Sequence, residues 1–137
     1  MPRLKSKSIQ ETIEFAHFFA SKLSGSMNVV YLTGAVGCGK TLICREICKY
    51  FNIIDLNSAS FQNISFFSTS SLNVVHCDFY LNKIDELVFE ENILPLLMPN
   101  WLMLVEWSNP VSFLGDINHH SIHIEVSNNN YRDISWC

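Results

Sequence analysis

Lys40 and Thr41 close the run Gly34-Ala35-Val36-Gly37-Cys38-Gly39-Lys40-Thr41, which has the spacing G-x-x-x-x-G-K-[ST]. Each residue type in it suits one task in holding a phosphate chain. Glycines let backbone N–H groups turn toward phosphate oxygens, and a side chain at Gly34 or Gly39 would strain or block that wrap. The amides from Gly37 through Thr41 are placed to cradle a β-phosphate. Lys40 is a point charge for the β and γ phosphates, and the Thr41 hydroxyl is a ligand for Mg²⁺. With only 5 Gly among 137 residues, the spacing is expected by chance about 0.001 times in such a chain.

Two carboxylates are candidates for the rest of the chemistry. Glu106 ends the apolar run Trp101-Leu102-Met103-Leu104-Val105. A buried strand closing on an acid delivers it to the crevice at the carboxyl end of a sheet, where it can hold Mg²⁺ directly or through water. Asp78 follows His76 by two residues at the end of Asn73-Val74-Val75-His76. It can orient an attacking water or complete the metal shell, with His76 supporting it or merely sitting in the sheet. Which acid places the water is left open by the sequence. Ser60, in the polar run Asn57-Ser58-Ala59-Ser60-Phe61, offers a hydroxyl near the metal.

The elements around these residues are those a phosphate site needs. Asn28-Val29-Val30-Tyr31-Leu32-Thr33 reads as a strand before the loop, and Lys40 to about Tyr50 reads as a helix after it. Ser8 to Leu23 has helical spacing at Ile9, Ile13, Ala16, Phe19, Ala20 and Leu23. Ser8 with Glu11 forms a capping box, and Gly25 suits the stop. Strand and turn are expected over Ile64 to Leu72, a short acidic helix over Lys83 to Phe89, and late strands at Ser121 to Val126 and Tyr131 to Trp136. The pattern is α/β: a P-loop NTPase-like three-layer fold with a mainly parallel central sheet, in one domain spanning 1–137, with 1–7 as a loose tail.

Composition excludes several classes. A net charge of −4 with nine Lys and Arg argues against direct charge-driven binding of nucleic acid. No run of 18 apolar residues suggests a membrane span, and the basic start Met1 to Lys7 leads into an amphipathic segment, so the expected address is the cytoplasm. Five cysteines without C-x-x-C argue against a disulfide framework or zinc ribbon. Cys44 and Cys48, at i and i+4, read as small buried apolar residues. His119, His120 and His123 with Cys137 read as loop or strand-edge histidines in preference to a metal cluster.

The ordered motifs resemble one family, the bacterial TsaE family (older name YjeE). Its members run helix, strand, G-x-x-G-x-G-K-T, S-P-T-F, H-x-D-x-Y-R, apolar-E-W, then a late Arg before the last strand. This chain has Gly34 to Thr41, Ser58-Ala59-Ser60-Phe61, His76-Cys77-Asp78-Phe79-Tyr80, Val105-Glu106-Trp107 and Arg132, so the resemblance spans roughly Ser8 to Trp136. It departs at Ala59 for Pro, Ser60 for Thr, Leu81 for Arg, Leu42 for the second Thr, and Ala35 where Asp is frequent. The resemblance implies an ATP- and Mg²⁺-binding ATPase, slow alone. Such a protein works with TsaD and TsaB in threonylcarbamoylation of adenosine 37 of tRNA without catalysing the transfer, and meets tRNA only through that complex. It also implies nucleotide contacts from Gly34, Gly37, Cys38, Gly39, Lys40, Thr41, Leu42 and Arg132, metal contacts from Thr41 and Glu106, and catalytic roles for Lys40, Asp78 and Glu106.

Two other classes share the loop. A small-molecule kinase needs several arginines to clamp an anionic acceptor, and this chain has only Arg3, Arg45 and Arg132. A nucleotide-dependent binding module would use the same site without useful turnover. For the hydrolytic reading, Arg132 or a cation from a partner would finish the site.

Overall fold

The computed structural model describes residues 1–23, 27–54, 60–61, 64–79, 87, 90–91, 95, 100–107 and 118–137. Eight strands and two helices are defined among them: β1 Arg3–Ser6, α1 Ile9–Ser21, β2 Met27–Gly34, α2 Lys40–Tyr50, β3 Ser60–Phe61, β4 Ile64–Ser68, β5 Asn73–Asp78, β6 Trp101–Glu106, β7 Asn118–Val126 and β8 Arg132–Trp136. The strands form one sheet in the order β1-β8-β7-β2-β6-β5-β4-β3. Its centre, β7-β2-β6-β5, is parallel. Antiparallel strands extend it on both sides, β8 and β1 at one edge, β4 and β3 at the other. The α/β fold with a parallel centre is therefore present, with more antiparallel flank than the sequence pattern suggests.

Alternation along the central strands explains why they read as continuous apolar runs. Val30 and Leu32 of β2, Leu102 and Leu104 of β6, and Ile122 and Ile124 of β7 face one layer, with Phe15, Ala16, Phe19 and Ala20 of α1 and Ile43 and Ile47 of α2. Val29, Tyr31, Val75, Met103 and Val105 form the core of the opposite face. Both faces of β6 are dry, so all six of its residues are buried. Each fully buried large aliphatic side chain contributes about 1.5–3 kcal/mol.

Helix α1 starts where expected. Ser8 is its N-cap and accepts from Glu11 N at 3.1 Å, while Glu11 Oε2 accepts from Lys7 N at 2.6 Å, one residue before the cap. Its buried stripe is Thr12, Phe15, Ala16, Phe19 and Ala20. Ile9, expected in that stripe, is 71% exposed, because the first turn lies past the sheet beside the glycine loop. Helix α2 ends in a Schellman turn. Asn52 takes φ +65°, Asn52 N donates to Lys49 O and Ile53 N to Cys48 O, each at 2.9 Å.

Two expectations need correction. Residues Met1 to Lys7 are not a loose tail: Arg3–Ser6 pairs antiparallel with β8, and Ser6, 1% exposed, bonds Thr12 Oγ1 at 2.6 Å. Of the β7 histidines, His123 is not at an edge, since it pairs with Thr33 of β2 and Ser135 of β8, whereas His119 and His120 pair with β2 alone, at the strand edge expected for them. His119 stacks on Tyr31, His120 shares a hydrogen bond with Asn28 Oδ1, and His123 shares one with Thr33 Oγ1. The expected stop at Gly25 lies outside the described residues, as do Ser58, Ala59 and all but Leu87 of the expected Lys83–Phe89 helix. Among the described residues no helix is long and apolar enough to cross a membrane.

Candidate functional site

The loop between β2 and α2 is shaped by three glycines at positive φ. Gly34, at φ +143°, has no room for a Cβ, which would lie 2.4 Å from the carbonyl oxygen of Ile124 and 2.7 Å from Cys38 Sγ. Gly37 (φ +79°) and Gly39 (φ +118°) differ, because a Cβ there would meet nothing within 4 Å and would project into open space. Strain excludes side chains at these two positions, and the space they leave is a cradle into which backbone N–H groups can point. Gly39 is also the N-cap of α2, whose first turn carries no side-chain cap.

Lys40 is folded into this loop and is 4% exposed. Its Nζ donates to Gly34 O at 2.7 Å and Ala35 O at 2.9 Å, and stands 3.6 Å from the centre of the Trp107 ring. Two carbonyl dipoles and the ring face hold an ammonium that burial alone would disfavour.

The carboxylates reach the loop from the ends of two adjacent parallel strands. Asp78 of β5 stands in register with Glu106 of β6. Glu106 is 2% exposed and fully engaged. The Thr41 hydroxyl donates to its two oxygens at 3.0 and 3.2 Å, and His76 Nε2 bonds Oε2 at 2.6 Å. An ionised carboxylate is acceptor-only, so the His76 ring nitrogen is the donor. Gly37, Gly39, Lys40, Thr41, Leu42, Asp78, Glu106 and Trp107 line one cavity of about 350 Å³.

A second cavity, of about 420 Å³, lies on the other side of the glycine loop. It is lined by Ser6, Lys7, Ser8, Ile9 and Thr12 from the amino-terminal segment, by Gly37, Cys38, Gly39 and Leu42, and by Asn130 and Arg132. Arg132 Nε donates to Cys38 O at 2.8 Å and Nη1 to Asn130 O at 2.9 Å, which ties the loop to β8. Leu42 borders both cavities.

Comparison with known proteins places the chain in a family. The family model described as "Threonylcarbamoyl adenosine biosynthesis protein TsaE" matches residues 6–134. The chain belongs to the TsaE family. A relative from Rickettsia bellii (strain RML369-C), named tRNA threonylcarbamoyladenosine biosynthesis protein TsaE, is 37% identical over 83% of this chain and 82% of its own length. One of the same name from Rickettsia prowazekii (strain Madrid E) is 36% identical over 96% of this chain and 90% of its own. Among solved structures, that of Bacillus subtilis YdiB superposes with a TM-score of 0.70 at 20% identity, covering 97% of this chain and 82% of that one, which speaks to the fold alone.

Within the TsaE pattern, the structure gathers the predicted residues around the loop but divides them between its two sides. Lys40, Thr41, Asp78 and Glu106 share the first cavity. Arg132, offered by the sequence as an alternative to a partner's cation for finishing the site, lines the second cavity and donates to Cys38 O. His76 supports Glu106. Of the Ser58–Phe61 motif only the backbone of Ser60–Phe61 is described, as β3, and Tyr80 and Leu81 lie outside the described residues.

Sequence reasoning gave Trp107 no task, although it was visible in the Glu-Trp pair. Its positive φ of 72° turns its ring onto Lys40. Asn130 and the wall formed by Ser6 to Ile9 with Thr12 could not be named from the sequence, because only strand pairing brings them to the loop. The thiols of Cys44 and Cys77 are pushed well up by burial, with Glu106 adding to the effect at Cys44, and Cys48 is pushed up to about 12 by burial, so all three are protonated at neutral pH.

Proposed function

We propose that this protein is a single-domain, cytoplasmic, Mg²⁺-dependent ATPase that supports formation of N6-threonylcarbamoyladenosine at position 37 of tRNA together with TsaB and TsaD homologues. The observation that carries the reading is that Lys40, Thr41, Asp78 and Glu106 all face one cavity beside an open glycine cradle. Family membership connects such a site with threonylcarbamoyl adenosine biosynthesis.

The triphosphate lies along Gly34, Gly37, Cys38 and Gly39, held by the amides of the loop and of the first turn of α2 through Leu42. Lys40 exchanges its carbonyl partners at Gly34 and Ala35 for phosphate oxygens, moving its charge from one set of acceptors to another. The donors fit magnesium, because Thr41 and Glu106 present hydroxyl and carboxylate oxygens within 3.2 Å of each other and Asp78 lines the same cavity. When bound, that ion would screen the phosphate charge and order the oxygens around it. Glu106, fixed by His76, and Asp78 place the attacking water, and the loop amides with Lys40 stabilise the charge that develops.

The second cavity takes the nucleoside end of the ligand. It adjoins the loop, offers the apolar surfaces of Ile9 and Leu42, and has the polar groups of Ser8 and Asn130 at its wall. Arg132 steadies the loop through Cys38 O and does not act at the γ-phosphate, so the remaining cation for hydrolysis comes from the partner complex.

The deciding experiment is ATP hydrolysis measured with and without the TsaB and TsaD homologues. Stimulation of at least tenfold is expected. No stimulation would sink the partner-completed reading, and undiminished ATP binding by Lys40→Ala would remove the loop from phosphate binding.

A further inference from the structure

We propose that Cys44, His76 and Glu106 form a binding site for a thiophilic divalent cation of the zinc class. The site shares Glu106 with the nucleotide site and competes with it. The three donors come from three elements, α2, β5 and β6. The Cys44 sulfur, a His76 ring nitrogen and a Glu106 carboxylate oxygen all lie within 4.8 Å of one another.

The fold explains this convergence. Cys44 follows Thr41 by three residues, close to one helical turn, so both face the same strand ends. His76 and Glu106 stand on neighbouring parallel strands and share a face, because His76 is two residues before Asp78, the register partner of Glu106. The reading of Cys44 and Cys48 as a helical pair could not show this, since Cys44 finds its donor partners across the sheet.

The chemistry of the donor set selects the ion. Zinc takes sulfur at about 2.3 Å and nitrogen or oxygen at about 2.0–2.2 Å in a tetrahedron, which spaces donors about 3.3–3.6 Å apart. The His76–Glu106 pair, now 2.6 Å apart, opens by up to about 1 Å, and the sulfur, within 4.8 Å of both, closes by at most about 1.3 Å. Three protein donors leave a fourth position. Magnesium suits this set poorly, because it demands an octahedral shell of oxygens, whereas thiolate with imidazole suits zinc. Cys44 is fully buried, Glu106 nearly so and His76 partly, which shields the donors from most of the solvent. Glu106 borders the cavity and marks the entry route. As the metal–sulfur bond forms, the thiol releases its proton to solvent.

Binding of the cation depends only on these three residues. Its consequence rests on the proposed function: Glu106 bound to the cation no longer serves Thr41 and the nucleotide's magnesium, so zinc inhibits hydrolysis.

Cobalt(II) titrated into the full-length, nucleotide-free protein tests the site. A thiolate-to-cobalt charge-transfer band and strong tetrahedral visible bands are expected, displaced by zinc, in the parent protein and in Cys48→Ser. Cys44→Ser, and independently Cys44→Ala, should lose the charge-transfer band while keeping the parent's circular dichroism. His76→Gln should weaken cobalt binding at least tenfold. No such band in the parent, or a band that survives both Cys44 substitutions, overturns the site. For the coupling, zinc should inhibit ATP hydrolysis by the parent, and Cys44→Ser should hydrolyse ATP normally but need at least tenfold more zinc for the same inhibition. Equal zinc sensitivity overturns the competition. Absence of hydrolysis in zinc-free parent protein would instead overturn the ATPase reading, with the cobalt spectrum still deciding the metal site.

Discussion

At the scale of single residues, the site rests on two buried charges, each held by a different kind of partner. Glu106 receives hydrogen bonds from Thr41 and His76. Replacing it with Gln keeps the size and an acceptor oxygen but removes the charge. Single-turnover ATP hydrolysis by Glu106→Gln is expected to fall about 100-fold, while ATP affinity in equilibrium dialysis changes only a few-fold. An unchanged rate would move the protein into the class of binding modules. Lys40 leans on the Trp107 ring at 3.6 Å. Trp107→Ala should destabilise the nucleotide-free protein by about 1–2 kcal/mol in urea unfolding, and Trp107→Phe should restore most of that. Equal losses for Ala and Phe would mean that an aromatic face over Lys40 is not what stabilises the protein. The glycine, lysine, threonine and acid positions were legible because each chemistry demands one residue type at fixed spacing. The Trp107 contact was not, because it depends on a backbone at φ +72° that no local pattern announces. The sequence left His76 open, as support for Asp78 or a plain sheet residue, and its bond to Glu106 is set by which side chains point together across β5 and β6.

At the scale of elements, the β2–loop–α2 unit separates two demands on glycine. Gly34→Ala places a Cβ 2.4 Å from the Ile124 carbonyl oxygen at φ +143°, so strain and overlap together should cost about 3–5 kcal/mol in denaturant unfolding. Gly39→Ala meets open space and bears strain alone, about 1–3 kcal/mol, yet it fills the cradle. Its loss of ATP affinity should therefore exceed its loss of stability, and the reverse order would show that the cradle is not where phosphate lies. Strand β7 adds a pH dependence. His120 sits by Asn28 and the edge of Phe19, and burial, with His119 adding to it, lowers its pKa below the ordinary 6.5. The unfolded chain then binds the proton more readily. The stabilisation is fully present above about pH 6.5 and is lost as pH falls toward the folded value. His120→Gln should narrow the gap in melting temperature between about pH 7.5 and pH 5. An unchanged gap would place that sensitivity elsewhere. The strands β2, β5 and β6 were legible as apolar runs because both their faces are buried. The interior place of His123 was not, because an exposed histidine imitates an edge while β2 and β8 pair on both sides of it.

At the scale of the whole molecule, the amino-terminal segment joins the sheet to the site. The sequence Met1 to Lys7 is short and basic, with Leu4 the one apolar residue inside the strand, so nothing local argues for a strand. Its pairing is available only because β8 has a free side in the finished sheet. Once Arg3–Ser6 is paired with Arg132–Ser135, Ser6 is buried against Thr12. Lys7 and Ser8 are then brought to the cavity beside Gly37 and Leu42, where Arg132 holds Cys38 O from the other wall. The segment therefore completes the proposed nucleoside pocket as well as the sheet. Deleting residues 1–6 removes the β1 pairing and the Ser6–Thr12 bond together. The melting temperature of the nucleotide-free protein should fall by about 5–10 °C, and ATP should bind about tenfold more weakly, as measured by calorimetry. Inorganic triphosphate, which reaches only the glycine cradle, should lose less affinity than ATP in the same protein. A tail without structure would leave all three measurements unchanged. A purely structural strand would lower the melting temperature and weaken ATP and triphosphate equally. Only a strand that also builds the wall of the second cavity should separate the two ligands.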